Sequence, residues 1–129
     1  MNSFTVLMPT YNRPDLCFLF DKAVDSCLAN SVIPDEIIVV VDGPVSVEFE
    51  LKIKSYESHA LMKVIWLPKN VGLTKALNEG LKSVKTKYVV RADGDDINRP
   101  NRFSIQLDML KSGLQLVGGA IIERDVNGA

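Results

Sequence analysis

The sequence predicts an α/β fold with a mostly parallel sheet flanked by helices on both faces. Short apolar runs rich in β-branched residues recur along the chain and stop at turn-forming residues. Between them lie stretches whose apolar residues recur at helical spacing. Most of the runs also lack the polar alternation of a half-exposed strand, so they read as strands buried on both faces.

Phe4 to Met8 is the first such run, ended by Pro9. After the loop Pro9-Thr10-Tyr11-Asn12-Arg13-Pro14, apolar residues at Leu16, Leu19, Phe20, Ala23, Val24, Cys27 and Leu28 predict a helix, with Pro14 suited to its first turn. Glu36 to Val41 is a second buried strand, closed by Asp42-Gly43-Pro44. Val47 to Tyr56 carries a weaker helical pattern, and Lys63 to Leu67, before Pro68, is a third strand. Leu73, Ala76, Leu77, Gly80, Leu81 and Val84 form the next helical stripe, followed by a strand over Tyr88 to Ala92. Phe103, Leu107 and Leu110 mark a helix opened by Pro100 and closed by Gly113, and Leu114 to Ile122 contains a last strand.

With 129 residues, 47% hydrophobic and 24% charged, the chain has one domain's worth of globular composition. Its net charge of -1 argues against a general electrostatic grip on nucleic acid or an anionic membrane. Cys17 and Cys27 lack a Cys-x-x-Cys spacing and His59 is distant from both, so no thiolate metal site is expected. Two cysteines in a domain of this size read as buried thiols in a reducing compartment. The start has no secretory pattern and no run is long enough to span a bilayer, so the expected location is the cytoplasm.

Parallel sheets bind ligands at the carboxyl ends of their strands. The loops that matter are then Pro9-Thr10-Tyr11, Asp42-Gly43-Pro44, Lys69-Asn70-Val71-Gly72 and Asp93-Gly94-Asp95-Asp96, all expected on one edge. No Gly-x-Gly-x-x-Gly, Walker-type or Gly-x-Ser-x-Gly motif occurs, which disfavours dinucleotide, P-loop and hydrolase chemistry. The fourth loop instead gathers three carboxylates around one glycine. Two unit charges about 6 Å apart repel by roughly 3 kcal/mol at an effective dielectric near 20, so such a cluster needs a positive partner. Mg²⁺ or Mn²⁺ would supply it, with substrate phosphates completing the shell. An ordinary polar turn neutralised by Arg91, Arg99 and Arg102 would supply it too.

Four segments together resemble the nucleotide-sugar-binding region of glycosyltransferase family 2, over nearly the whole chain. They are Met8-Pro9-Thr10-Tyr11-Asn12, Pro34-Asp35-Glu36-Ile37 leading to Val41-Asp42-Gly43, Lys69-Asn70-Val71-Gly72-Leu73 with Lys75 to Gly80, and Arg91 to Asp96 with Pro100-Asn101-Arg102-Phe103. The resemblance implies a Rossmann-like GT-A fold and a metal-dependent, inverting transfer of a sugar from a nucleotide diphosphate sugar to an acceptor hydroxyl. Residues 1–129 would be the donor part, with the acceptor part absent and the general base expected beyond residue 129. Glu123 and Asp125 near the chain end are not assigned that role.

Carried onto this sequence, the resemblance places Pro9, Thr10 and Tyr11 against base and ribose, with Tyr11 available for stacking or for packing. Asp42 would accept from a uracil imide, or form a plain Asp-Gly turn; Val41-Asp42-Gly43-Pro44 replaces the common Asp-Asp-Gly-Ser. Asn70 and Gly72 would shape the loop beneath the ribose, and Lys75 would approach the diphosphate or sit in solvent. Asp93 would face the ribose and the metal shell, Asp95 would ligate Mn²⁺ or Mg²⁺ directly, and Asp96 would orient the loop or cap the next element. Implied partners are a UDP-sugar donor and a glycan or lipid-linked acceptor of polysaccharide biosynthesis at the inner face of the plasma membrane, with peripheral membrane association and no nucleic acid. A nucleotidyltransferase would show a glycine-rich basic loop after the first strand, and a non-enzymatic acidic-pocket α/β module would carry an acid there; Pro9-Thr10-Tyr11-Asn12-Arg13 offers neither.

Overall fold

A computed structural model describes residues 3–113. The elements alternate strictly: β1 (Phe4–Thr10), α1 (Leu16–Leu28), β2 (Glu36–Val41), α2 (Val47–Tyr56), β3 (Met62–Trp66), α3 (Leu73–Leu81), β4 (Tyr88–Arg91) and α4 (Arg102–Lys111). The strand anticipated over Leu114 to Ile122 lies outside the described residues, as do Glu123 and Asp125. Among the described residues the strands form one parallel sheet in the order β3-β2-β1-β4.

Alternation along the two central strands sends side chains to opposite faces. Phe4, Val6 and Met8 of β1, with Ile37, Val39 and Val41 of β2, pack under Phe20 and Val24 of α1, Phe49 and Ile53 of α2, and Phe103 and Leu107 of α4. Leu7, Ile38 and Val40 point the other way and pack with Ala76 of α3. Burial on both faces is what the continuous apolar runs required.

β1 runs two residues further than the proline suggested. Its ladder with β4 ends at Leu7↔Arg91, whereas its ladder with β2 continues through Pro9↔Val40 and Thr10↔Val41. The Pro9 carbonyl accepts the Gly94 N–H on the β4 side, the side to which a Pro9 N–H would also have pointed. The missing donor therefore falls where pairing has already stopped. β3 is displaced by one residue, because Met62↔Ile37 starts the ladder and Trp66↔Val41 ends it.

The segment after β4 is pinned to α1. Asn30 donates to the Arg99 carbonyl at 2.7 Å and accepts the Phe103 N–H at 3.2 Å, and Ser26 Oγ receives the Asn98 N–H at 2.9 Å. Cys27 is buried beside Asn98 as a free thiol, and burial pushes its pKa up to about 12. Cys17 is a free, partly buried thiol.

Gly80 fixes how closely α3 approaches the sheet. A Cβ there would stand 2.4 Å from Leu7 Cδ1 and 2.8 Å from Val40 Cγ2. Gly80→Ala gains about 1 kcal/mol of helix propensity but overpacks a buried contact at about 1–3 kcal/mol. The packing term wins, so calorimetry should show a Tm a few degrees lower, where an exposed helical glycine would show a rise.

Candidate functional site

The carboxyl ends of β2, β1 and β4 lie side by side, and the loops leaving them line a cleft of about 450 Å³, a size that suits a small-molecule ligand. Pro9, Thr10, Tyr11 and Arg13 come from the β1 end, Asp42 from β2, and Arg91, Asp93, Gly94 and Asp95 from β4. Asn70, Gly72, Leu73 and Ala76 close the side formed by the approach to α3. Every binding residue expected from sequence lines this cleft except Lys75, which is exposed on the first turn of α3 and is absent from its walls.

Asp42 is buried at 6% exposure and organises the α3 approach. Its Oδ1 accepts the Val71 N–H at 2.7 Å and its Oδ2 the Gly72 N–H at 3.0 Å, while its carbonyl accepts from Asn70 Nδ2 at 3.1 Å. Gly72 is the N-cap of α3 and has no side chain to cap with, so a carboxylate from β2 serves that helix start, where negative charge is also favoured by the dipole. Gly43 makes the approach possible. Its φ is +93°, and a Cβ would come within 2.6 Å of the Asn70 backbone nitrogen.

Thr10 carries the complementary signal. It is 2% exposed, and its Oγ1 is the buried side-chain polar atom left without a partner among the described residues. Leaving such a hydroxyl unpaired costs about 1–3 kcal/mol.

The acids behave as a cluster. Asp93, Asp95 and Asp96 each offer a carboxylate oxygen within 4.8 Å of the others. Burial, and then the charges of Asp93 and Asp95, raise the pKa of Asp96 above the ordinary carboxylate range. Positive partners arrive from two directions. Arg91 straddles Asp93, Nε to Oδ1 at 2.8 Å and Nη2 to Oδ2 at 3.2 Å. Arg13, from the β1 loop, donates Nη2 to Asp95 Oδ2 at 2.9 Å. The same guanidinium holds Asp15 through Nε to Oδ1 at 2.5 Å and Nη2 to Oδ2 at 2.8 Å, and its carbon stands 5.8 Å from the centre of the Tyr11 ring. Hydrogen bonds to Asp15, then Tyr11, raise the Arg13 pKa further. Three convergent hard-oxygen donors suit Mg²⁺ or Mn²⁺, and each ionised carboxylate keeps lone pairs beyond those its arginine uses.

Sequence proximity pointed to Arg91, Arg99 and Arg102 as neutralising partners, and Arg91 fills that role. Arg102 bonds Asn98 Oδ1, Gln106 Oε1 and the Arg91 carbonyl, and acts on Asp96 and Asp93 through its charge without a direct bond. Arg13 had no assigned function in the sequence, because it lies 82 positions from the acid it meets. The single local hint was its place in the loop that leaves β1 at the ligand edge.

The model of the family described as "Glycosyl transferase family 2" matches residues 5–129. A UDP-Gal:alpha-D-GlcNAc-diphosphoundecaprenol beta-1,3-galactosyltransferase of Escherichia coli is 44% identical over 111 residues, covering 85% of this chain and 40% of that protein. The amylovoran biosynthesis glycosyltransferase AmsE of Erwinia amylovora is 35% identical over 127 residues, covering 97% of this chain and 47% of that protein. The chain thus spans somewhat under half the length of these relatives. Residues 1–349 of S. aureus TarS, solved in complex with UDP-GlcNAc, superpose with a TM-score of 0.72 at 20% identity, covering 95% of this chain and 37% of that one. A second structure of the same S. aureus fragment gives 0.72 at 21% identity. The fold is therefore the GT-A form of the α/β class.

The two amide donors on Asp42 generate a test. Asp42→Asn replaces one acceptor oxygen by an NH₂ that faces a backbone N–H, removing a charge-assisted bond of about 1.5–3 kcal/mol. Amide hydrogen exchange should accelerate at Val71 and Gly72 far more than in β2 itself, with a Tm lower by several degrees.

Proposed function

The chain belongs to glycosyltransferase family 2, and from that premise we propose that it holds the donor of an inverting, metal-dependent sugar transfer from a UDP-sugar to an acceptor hydroxyl. The observation that carries the reading is the convergence of Thr10, Tyr11, Asp42, Asp93 and Asp95 on one cleft at the carboxyl edge of a parallel sheet. The UDP and UDP-GlcNAc complexes of S. aureus TarS support the choice of nucleotide.

The residues divide the donor between them. Tyr11, 44% exposed, offers a ring face to the base. Asp42 has a spare lone pair on each oxygen for an imide N–H after bonding Val71 and Gly72. Thr10 Oγ1 gains the partner it lacks by bonding the nucleoside, while Pro9, Asn70 and Gly72 give the floor its shape. Asp93 and Asp95, with Asp96 beside them, would hold a Mg²⁺ or Mn²⁺ ion. Bound there, the ion supplies Lewis-acid stabilisation of the charge that builds on the diphosphate as the bond to the anomeric carbon breaks. Inversion also needs a base for the acceptor hydroxyl. The carboxylates lining the cleft are all given to the donor, and none of them is assigned that role. An acceptor of the lipid-linked kind named in the Escherichia coli relative, in polysaccharide assembly at the inner membrane face, completes the proposal.

Thermal shift with UDP, GDP, ADP and their sugar conjugates tests the donor reading. With Mn²⁺ present, UDP at 100 times its dissociation constant should stabilise the chain by roughly 2.7 kcal/mol, a shift of several degrees. EDTA, or Asp95→Ala with Mn²⁺ retained, should abolish most of that shift. Equal, flat melting curves for every nucleotide would rule the reading out.

Thr10→Val separates folding from binding at one atom. Valine preserves the shape and suits a strand, and it removes the unpaired hydroxyl, so the free chain should gain about 1 kcal/mol. Calorimetric titration should show UDP binding weakened by about 10-fold, which is ~1.4 kcal/mol.

A further inference from the structure

Asp15 occupies the N-cap position of α1, where aspartate is a preferred capping residue, yet its side chain makes no capping hydrogen bond. Both of its oxygens are committed to Arg13 instead. A helix start has forgone its cap to fix the plane of a guanidinium. So fixed, Arg13 presents Nη2 to Asp95 at 2.9 Å, and Nη1 has only a long contact with the Tyr11 hydroxyl at 3.4 Å. Arg13 thus spans the two ends of the cleft, the acid loop after β4 and the tyrosine after β1. Nη1 therefore lacks a strong partner, and one Nη2 N–H is held by Asp95 alone. Those are the donors that a planar, always-charged fork uses on phosphate oxygens.

We propose that Arg13, clamped by Asp15, is a diphosphate-positioning residue: it balances the Asp95 carboxylate until a divalent cation takes that carboxylate, and then donates the released N–H to the donor's phosphate oxygens. The inference rests on the donor-site reading and adds a residue and an exchange of partners to it. Because Asp15 keeps its grip throughout, the exchange needs no loop movement; one N–H changes acceptor. Nucleotide and cation binding are then coupled through a single side chain. The cation must displace Arg13 from Asp95, and the diphosphate gives the displaced donor somewhere to go. Arg91 is not equivalent: it pairs with an acid two positions away and is more exposed, 49% against 35% for the Arg13 side chain.

The experiment measures Mn²⁺ affinity by electron paramagnetic resonance, and UDP and uridine affinities by calorimetry, on the 129-residue chain and on Arg13→Gln. Removing Arg13 should tighten Mn²⁺ alone by about 2- to 5-fold, the range expected from a partly exposed ion pair. It should weaken UDP in saturating Mn²⁺ by about 10-fold or more, as for loss of a charge-assisted bond. Uridine, which has no phosphate, should bind unchanged. A residue that merely holds the loops together would shift all three affinities in one direction. Arg99→Gln removes an exposed positive charge near the acid loop without touching Asp95 and should behave as the unaltered chain. If Arg13→Gln unfolds, Arg13→Lys keeps the charge without the fork and should still weaken UDP several-fold with uridine unchanged. Unaltered UDP affinity in the Arg13 variants, weaker Mn²⁺ binding in Arg13→Gln, or the same pattern in Arg99→Gln would overturn the inference alone. Failure of the unaltered chain to bind either UDP or Mn²⁺ would overturn the donor reading and this inference with it.

Discussion

The ladder between β1 and β2 is the constraint on which the rest of the structure depends. Both strands are central and apolar on both faces, so their register is fixed by burial rather than by any turn. Extending that register to Thr10↔Val41, with the Asp42 N–H donating to the Thr10 carbonyl at 2.8 Å, brings Thr10 and Asp42 to neighbouring positions on the carboxyl edge of the sheet. A slip of one residue would turn Thr10 and the core residues before it to the opposite face. Asp42 then fixes the entry to α3, so two of the three walls of the cleft follow from one pairing.

Charge accounts for the third wall. Three carboxylates within 4.8 Å of one another would repel the loop open in the absence of cations, and two arginines answer them. These ion pairs are partly exposed and contribute little to folding individually. Their weakness suits the proposed exchange of partners, since a fully buried pair would cost several kcal/mol to break. The strong, solvent-shielded interactions are instead spent on holding the backbone: Asp42 on the α3 approach, and Asn30 and Ser26 on the segment after the acid loop. Rigid walls with labile charged tips suit the anion and cation binding proposed for this cleft.

Much of this was legible in sequence because the signals were strong and local. The runs Glu36–Val41 and Leu16–Leu28 fall on their observed bounds, since the apolar pattern of each stops where the element does. Pro9 misled, because whether a proline ends a strand depends on which neighbour its nitrogen would face, a property of strand order. Leu67 looked like strand and sits one residue beyond it, because apolar character does not mark where a ladder stops. Asp42 and the Asp93–Asp95 pair could be singled out since each follows a strand directly. Arg13 could not, because its partner is brought to it by the β1–β4 adjacency, and no local pattern encodes that pairing. Lys75 sits in the segment the sequence singled out, exposed on the first turn of α3 and outside the lining of the cleft.

The glycine between the acids shows how backbone packing and charge are joined. Gly94 does not need an unusual backbone angle; it needs the absence of a side chain. A Cβ would stand 3.1 Å from Thr10 Oγ1, 3.2 Å from Thr10 Cβ and 3.4 Å from the Pro9 carbonyl oxygen, while the Gly94 N–H donates to that same oxygen at 3.3 Å. The acid loop is therefore laid directly on the end of β1. Its two flanking carboxylates are carried to either side of the contact, one toward Arg91 and the other toward Arg13. A Cβ there would force the Thr10 side chain or the loop to give by a few tenths of an ångström. Asp-Gly-Asp is thus a packing device as much as a charge pattern: the glycine sets the distance at which carboxylates from one strand end can meet a hydroxyl and a guanidinium from the next.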